Sequence, residues 1–155
     1  MGFSVKGISA EPYLHLYGMS DDELKANGAR RYTCDANPGF PDRIEMRDAE
    51  IGETLLLVNH VSLDANSPYD ASHAIFVLEG AVNTYETQNE IPPVMFSRLL
   101  SLRAFDDDGM MRDAKLAQGD DIQNSIETMF EDINVAYIDA HNAERGCFAG
   151  KITRT

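Results

Sequence analysis

The sequence has no tryptophan, only two cysteines, and no apolar run long enough to cross a bilayer, which takes about 20 residues. The two cysteines, Cys34 and Cys147, are too few for the disulfide framework of a small secreted domain. The chain does not open with a basic segment followed by an apolar stretch, so no signal peptide is expected. Together these absences predict a cytoplasmic protein whose thiols are reduced.

Basic residues are also scarce, because 13 lysines and arginines face 26 acids and leave a net charge of −13. An acidic surface repels phosphate backbones and anionic lipid, so we expect no nucleic acid and no membrane among the partners. Hydrophobic content of 43% and charged content of 25% are typical of a globular protein. At 155 residues, without a linker or repeat, the chain is predicted to form a single globular domain over residues 1–155.

The densest apolar stretch runs from Gly52 to Val61, and its segment from Leu55 to Asn59 predicts a strand buried on both faces. We expect the remaining elements to be arranged around this strand. The sequence predicts the order β-α-β-β-β-α-β-β-α-β-β. Short turns between neighbouring strands favour an α+β fold with a mainly antiparallel or mixed β-sheet and about three helices packed on it.

Two of the helices carry explicit signals. Ser20 and Glu23 form a capping-box pattern before a short helix over about 21–27. Asp120 is predicted to cap the longest helix, with Gln123 in the box position. The core-facing stripe of that helix is expected to contain Ile122, Ile126, Met129, Phe130 and Ile133.

Several motifs stand in order along nearly the whole chain. They are Asp35-Ala36-Asn37-Pro38-Gly39-Phe40-Pro41, Asp48-Ala49 with Gly52-Glu53-Thr54, Ser67-Pro68-Tyr69, His73-Ala74-Ile75-Phe76-Val77, Arg98-Leu99-Leu100-Ser101-Leu102-Arg103-Ala104, and His141-Asn142-Ala143 with Gly146-Cys147. These motifs resemble those of the bacterial family of domain of unknown function 1203. The chain departs from that pattern at Asp42, where a cysteine is expected, and at Asp139, where a histidine is expected. The resemblance implies no activity.

Three histidines stand at predicted strand ends, namely His60, His73 and His141. Strand ends and their loops are where sites are usually built, because the scaffold is rigid and the loops vary. We therefore predict that these histidines share one patch at a sheet edge, where the protein binds a small molecule or a protein partner. The predicted binding residues are His60, Ser67, Tyr69, His73, Arg103 and Asn142.

Arg103 shares a strand face with Leu99 and Phe105, and it is expected either to reach a carboxylate such as Asp106 or Asp139 or to anchor an anionic ligand.

Two alternatives remain open. A thiol- or metal-dependent enzyme would use His141 and Cys147, since a Cys–His pair gives an activated thiolate and zinc accepts nitrogen and sulfur ligands. Asp139 shares a strand face with His141 in that scheme. The other alternative is a structural self-association module, for which a homodimer is the expected partner arrangement. No cofactor and no metal is assigned, because the sequence contains no recognised ligand motif.

Overall fold

The computed structural model describes residues 2–155 and contains nine strands, three α-helices and one 3-10 helix within that range. The strands are β1 (Phe3–Lys6), β2 (Arg30–Thr33), β3 (Thr54–Leu63), β4 (Ala71–Leu78), β5 (Glu86–Gln88), β6 (Leu100–Phe105), β7 (Met111–Ala117), β8 (Tyr137–Asn142) and β9 (Phe148–Arg154). The α-helices are α1 (Asp21–Ala26), α2 (Pro93–Phe96) and α3 (Asp121–Met129), and the 3-10 helix covers Glu11–Leu16. The α+β prediction is confirmed.

The strands form two sheets rather than one. The larger has six strands in the order β5-β1-β9-β8-β6-β7, and the smaller has three in the order β2-β3-β4. Every pair in the six-stranded sheet is antiparallel. Among the described residues, no helix is both long enough and apolar enough to span a membrane.

The chain divides into two compact units. One consists of residues 2–6, Val61–His73 and Glu86–Thr155, and it contains the six-stranded sheet. The other consists of Gly7–His60 and Ala74–Tyr85. The prediction of a single domain over residues 1–155 stays a prediction.

One face of the six-stranded sheet forms the core of its unit. Leu100, Leu102 and Ala104 alternate along β6 and are fully buried. They share that face with Ile138 and Ala140 of β8, because directly opposed antiparallel residues point to the same side. Helix α3 contacts β6 and β7 and buries Ile122, Ile126 and Met129. The opposite face of this sheet is therefore the one left for polar side chains.

The sequence predictions for α1 and α3 have different outcomes. The Ser20–Glu23 capping box is present, with the Glu23 amide donating to Ser20 Oγ at 3.2 Å and the Ser20 amide donating to Glu23 Oε2 at 3.3 Å. Asp120 stands at the N-cap position of α3 as predicted, but the expected capping bond is absent. Its backbone is already helical, so the side chain does not take the extended cap geometry and makes no cap bond. The stripe prediction is wrong at Ile133, which lies beyond the helix end and is 83% exposed.

The stretch chosen as the central strand is the middle strand of the smaller sheet. Leu55 and Leu56 are fully buried and Val58 is nearly so, but Leu57 is half-buried and Asn59 is exposed. Burial on both faces is thus confined to the first half of β3. The sequence prediction missed β5, a short edge strand whose three residues are all polar.

Candidate functional site

A row of charged side chains crosses three neighbouring strands of the six-stranded sheet. Arg103 of β6 lies directly opposite Asp139 of β8, and Asp139 lies directly opposite Lys151 of β9. One row further along, Ser101 of β6 lies opposite His141 of β8. These residues point away from the α3 side, because they alternate with the buried apolar residues of the same strands. The polar face consists of Ser101, Arg103, Tyr137, Asp139, His141 and Lys151.

Asp139 is the acid at the centre of this face. It is 1% exposed, and Lys151 Nζ donates to its Oδ1 at 2.8 Å. Its other oxygen, Oδ2, is buried without a hydrogen-bond partner in the described part of the chain. Burial raises the pKa of Asp139, although Lys151 and Arg103 act in the opposite direction. Desolvation thus outweighs the attraction of the two cations, so burial destabilises the charged carboxylate relative to its protonated form.

Two histidines meet beside this acid. The rings of His73 and His141 are 4.9 Å apart between centroids and stand edge to face, and His141 also contacts Phe148 edge to face at 5.8 Å. Burial lowers the pKa of His141 to about 4, and it also lowers the pKa of His73. Arg103 depresses both further by repelling a second positive charge. Both rings are consequently neutral near pH 7.

The tautomer of His141 follows from its partner. His141 Nδ1 lies 3.0 Å from the carbonyl oxygen of Gly146, and a carbonyl oxygen can only accept. The proton of the neutral ring must therefore be on Nδ1, which leaves a bare lone pair on Nε2. On His73, Nδ1 lies 3.5 Å from Ser62 Oγ, a pair in which either group can donate.

Arg103 is half-exposed and only partly engaged. Its Nε donates to Ser101 Oγ at 3.2 Å. Within residues 2–155, its terminal nitrogens make no hydrogen bond and no ion pair closer than 4.0 Å. The expected ion pair between Arg103 and a carboxylate is therefore wrong, because Arg103 lies opposite Asp139 in the register without pairing with it. The planar end of Arg103 remains available to a ligand.

An aromatic cluster closes one end of the polar face. Phe105 stacks on Tyr137 with centroids 5.5 Å apart, and Tyr69 meets Phe105 edge to face at 5.9 Å. Lys151 Nζ lies 3.8 Å from the centre of the Tyr137 ring. Ser67 fixes the loop that carries Tyr69, since its hydroxyl donates to the Gly109 carbonyl at 2.9 Å and accepts from the Tyr69 amide at 3.0 Å. Ser67 therefore stabilises the conformation of this loop.

Of the predicted binding residues, His73 and Arg103 lie at the polar face together with His141. Tyr69 is at its aromatic end. Asn142 belongs to the opposite side, because its register partner is Leu100 of the covered face. Its side-chain amide donates to Cys147 Sγ at 3.5 Å, and its Oδ1 is buried without a partner among the described residues.

His60 belongs to the other compact unit, where its Nδ1 lies 2.8 Å from the Tyr13 hydroxyl. The shared patch of three histidines thus has structural support for His73 and His141, and it stays a prediction for His60. The thiol-enzyme alternative with Cys147 also stays a prediction. No group of three or more residues able to hold a metal ion occurs in the described chain.

Lys151 and Ser101 were absent from the predicted site. Each lies directly opposite a residue that sequence reasoning had singled out, so the missing information was the strand register. Alternation along β6 already places Ser101 on the same face as Arg103, and this was the only sequence pattern that pointed to Ser101 as a site residue.

No curated protein and no solved structure matches this chain. A family model described as a protein of unknown function, DUF1203, matches residues 39–154 and includes every residue of the polar face. The match covers well over half of the 155 residues and confirms the resemblance found in the motifs. This chain therefore belongs to the DUF1203 family.

Proposed function

We propose that the protein binds a small anionic molecule on the polar face of the six-stranded sheet. The observation that carries this proposal is the state of Arg103, whose terminal nitrogens have no partner in the described chain although a buried acid lies opposite. Asp139 is already paired with Lys151, so the guanidinium charge is not neutralised by a direct ion pair. An arginine end of this kind matches the two oxygens of a carboxylate or phosphate.

The local charge supports the same conclusion. Arg103 and Lys151 bring two positive charges to the row, and Asp139 brings one negative charge. The row therefore carries one net positive charge on a chain whose net charge is −13, and the acids Asp106 and Asp70 act on Tyr137 at the aromatic end. Because the two histidines are neutral near pH 7, they add polar contacts without adding charge.

The test is a titration of the labelled protein with small anions, followed by NMR signals of the arginine side chains and histidine rings. We expect saturable shifts at Arg103 and at the neighbouring His73 ring, and their loss in Arg103→Gln. Arg30→Gln is the charge-matched control, because Arg30 is exposed and belongs to the other unit. Shifts that persist in Arg103→Gln, or that disappear equally in Arg30→Gln, would contradict binding at this face.

Reduced thiols fit a cytoplasmic location for this binding protein, which we also propose. Cys34 and Cys147 are both free cysteines. A homodimer stays a prediction.

A further inference from the structure

The polar face offers hydrogen-bond donors on one strand and an acceptor on the next. Ser101 Oγ accepts from Arg103 Nε, so its hydroxyl hydrogen is free to turn toward a ligand beside the terminal nitrogens of Arg103. Across the strand pair, His141 is held with its proton on Nδ1 by the Gly146 carbonyl. Its Nε2 can therefore only accept. A ligand that satisfies both sides must combine an anionic group with a donor.

The distance between the two sides is set by the sheet. Arg103 and His141 belong to adjacent rows of the register, two residues apart along the strand direction, which corresponds to about 7 Å between backbone positions. The arginine side chain is long and half-exposed, so it can approach the His141 row. A ligand whose anionic group and donor group are on neighbouring atoms suits the space between Arg103 and His141. A long ligand with widely separated groups does not.

The cations of the polar face also determine whether the donor group of the ligand is charged or neutral. Arg103 and Lys151 repel a second cation here, and Arg103 contributes to keeping both His73 and His141 unprotonated. A ligand ammonium group would meet the same repulsion, whereas a hydroxyl group would not. A phosphate monoester dianion offers no hydrogen for His141 Nε2, and any phosphate dianion would bring extra negative charge beside Asp139.

From this arrangement we infer that the ligand is a small hydroxycarboxylate, with its carboxylate on Arg103 and Ser101 and its hydroxyl donating to His141 Nε2. This inference rests on the proposed anion-binding function and specifies its substrate class. His141 is 3% exposed, so the hydroxyl has to enter beside the half-exposed His73 ring that covers it. His73 is thereby assigned the role of a positioning residue at the entrance.

The experiment compares four probes by isothermal titration calorimetry at pH 7.5: glycolate, acetate, glycine and inorganic phosphate. Glycolate is expected to bind about tenfold more tightly than acetate, since one neutral hydrogen bond contributes about that factor. Glycine and phosphate are expected to bind more weakly than glycolate. In His141→Leu, which offers no acceptor, the advantage of glycolate over acetate should disappear, and in Arg103→Gln the binding of both should be lost.

A second measurement does not depend on any variant folding well. In the unaltered protein, the ¹⁵N signal of His141 Nε2 should move on addition of glycolate and stay in place with acetate. Equal affinity for glycolate and acetate, or a stationary Nε2 signal, would overturn the hydroxycarboxylate assignment. If phosphate bound best and required Arg103, the ligand class would be wrong and the anion site would stand. If no probe bound, both proposals would fail.

Discussion

Lys151 donates to the buried carboxylate of Asp139 from the neighbouring strand, with Nζ and Oδ1 2.8 Å apart. The two ends of this pair differ in environment, because the Lys151 side chain is 39% exposed and that of Asp139 is 1% exposed. Asp139 therefore bears most of the desolvation penalty of the pair. Lys151 is the only cationic residue of the described chain that forms an ion pair with it.

The first prediction follows from that asymmetry. Lys151→Met should lower the free energy of unfolding by about 1–3 kcal/mol at pH 7.5, because a buried charged group loses its partner. Asp139→Asn combined with Lys151→Met should recover most of the loss, since the orphaned charge is then gone. Urea melts of the single and double variants measure both effects. A single variant as stable as the parent protein would show that the pair is not needed to hold the acid.

The second prediction concerns acid sensitivity. Burial lowers the pKa of His141 from its ordinary value of 6.5 to about 4, so between these values the unfolded chain binds the proton and the folded chain does not. Stability from this group is fully present above pH 6.5 and is lost as the pH falls toward 4. The total is at most about 3 kcal/mol.

The measurement is the unfolding free energy of the parent protein and of His141→Gln at several pH values between 4 and 7.5. Asp139 contributes with the opposite sign, because its raised pKa favours the folded state at low pH. The difference between the two proteins isolates the histidine. We expect the parent protein to lose more unfolding free energy than His141→Gln as the pH falls from 7.5 to 4. A difference in stability that stays constant over this range would refute the neutral buried histidine.

The sequence allowed good prediction of those elements whose signal is local. The helical spacing of Ile122, Ile126 and Met129 identified the buried side of α3, and the capping box identified the start of α1. Predictions failed where distant contacts decide the outcome. Ile133 follows the helical spacing, but α3 ends at Met129, and β5 becomes a strand only because β1 offers it an edge.

The candidate site was predictable only in part for the same reason. His73, Arg103 and His141 were each singled out from their strand positions, and the structure brings these three toward one face. Lys151 had no distinguishing local pattern, because its importance comes from standing opposite Asp139 in the β8–β9 register. A bulge between Ala140 and His141 shifts that register, and no simple hairpin rule would have placed it.

The third prediction tests how closely two neighbouring leucines of β3 are packed. Leu56 is fully buried, so Leu56→Ala should cost about 2–5 kcal/mol through lost burial and a residual cavity. Leu57 is half-buried, and Leu57→Ala should cost clearly less, which makes it the matched control. Denaturant melts of the two variants give the comparison. Equal losses would mean that Leu57 is packed as closely as Leu56, as the apolar segment from Leu55 to Asn59 had suggested.

The last prediction concerns the two thiols. Cys34 is 1% exposed, and its Sγ donates to the carbonyl oxygens of Ala36 at 3.1 Å and Ala49 at 3.3 Å. Cys147 is half-buried and stands just before β9. A thiol reagent attacks only a group it can reach, so Cys147 should react in the folded protein and Cys34 only after unfolding.

Ellman's reagent should therefore titrate one thiol per chain under native conditions and two in denaturant without reductant. Cys147→Ser should remove the native reaction, whereas Cys34→Ser should leave it unchanged. In the unaltered protein, reaction of both thiols together under native conditions would instead indicate global opening. A Cys34–Cys147 crosslink in the purified protein would contradict the free thiols and the reducing location inferred from them.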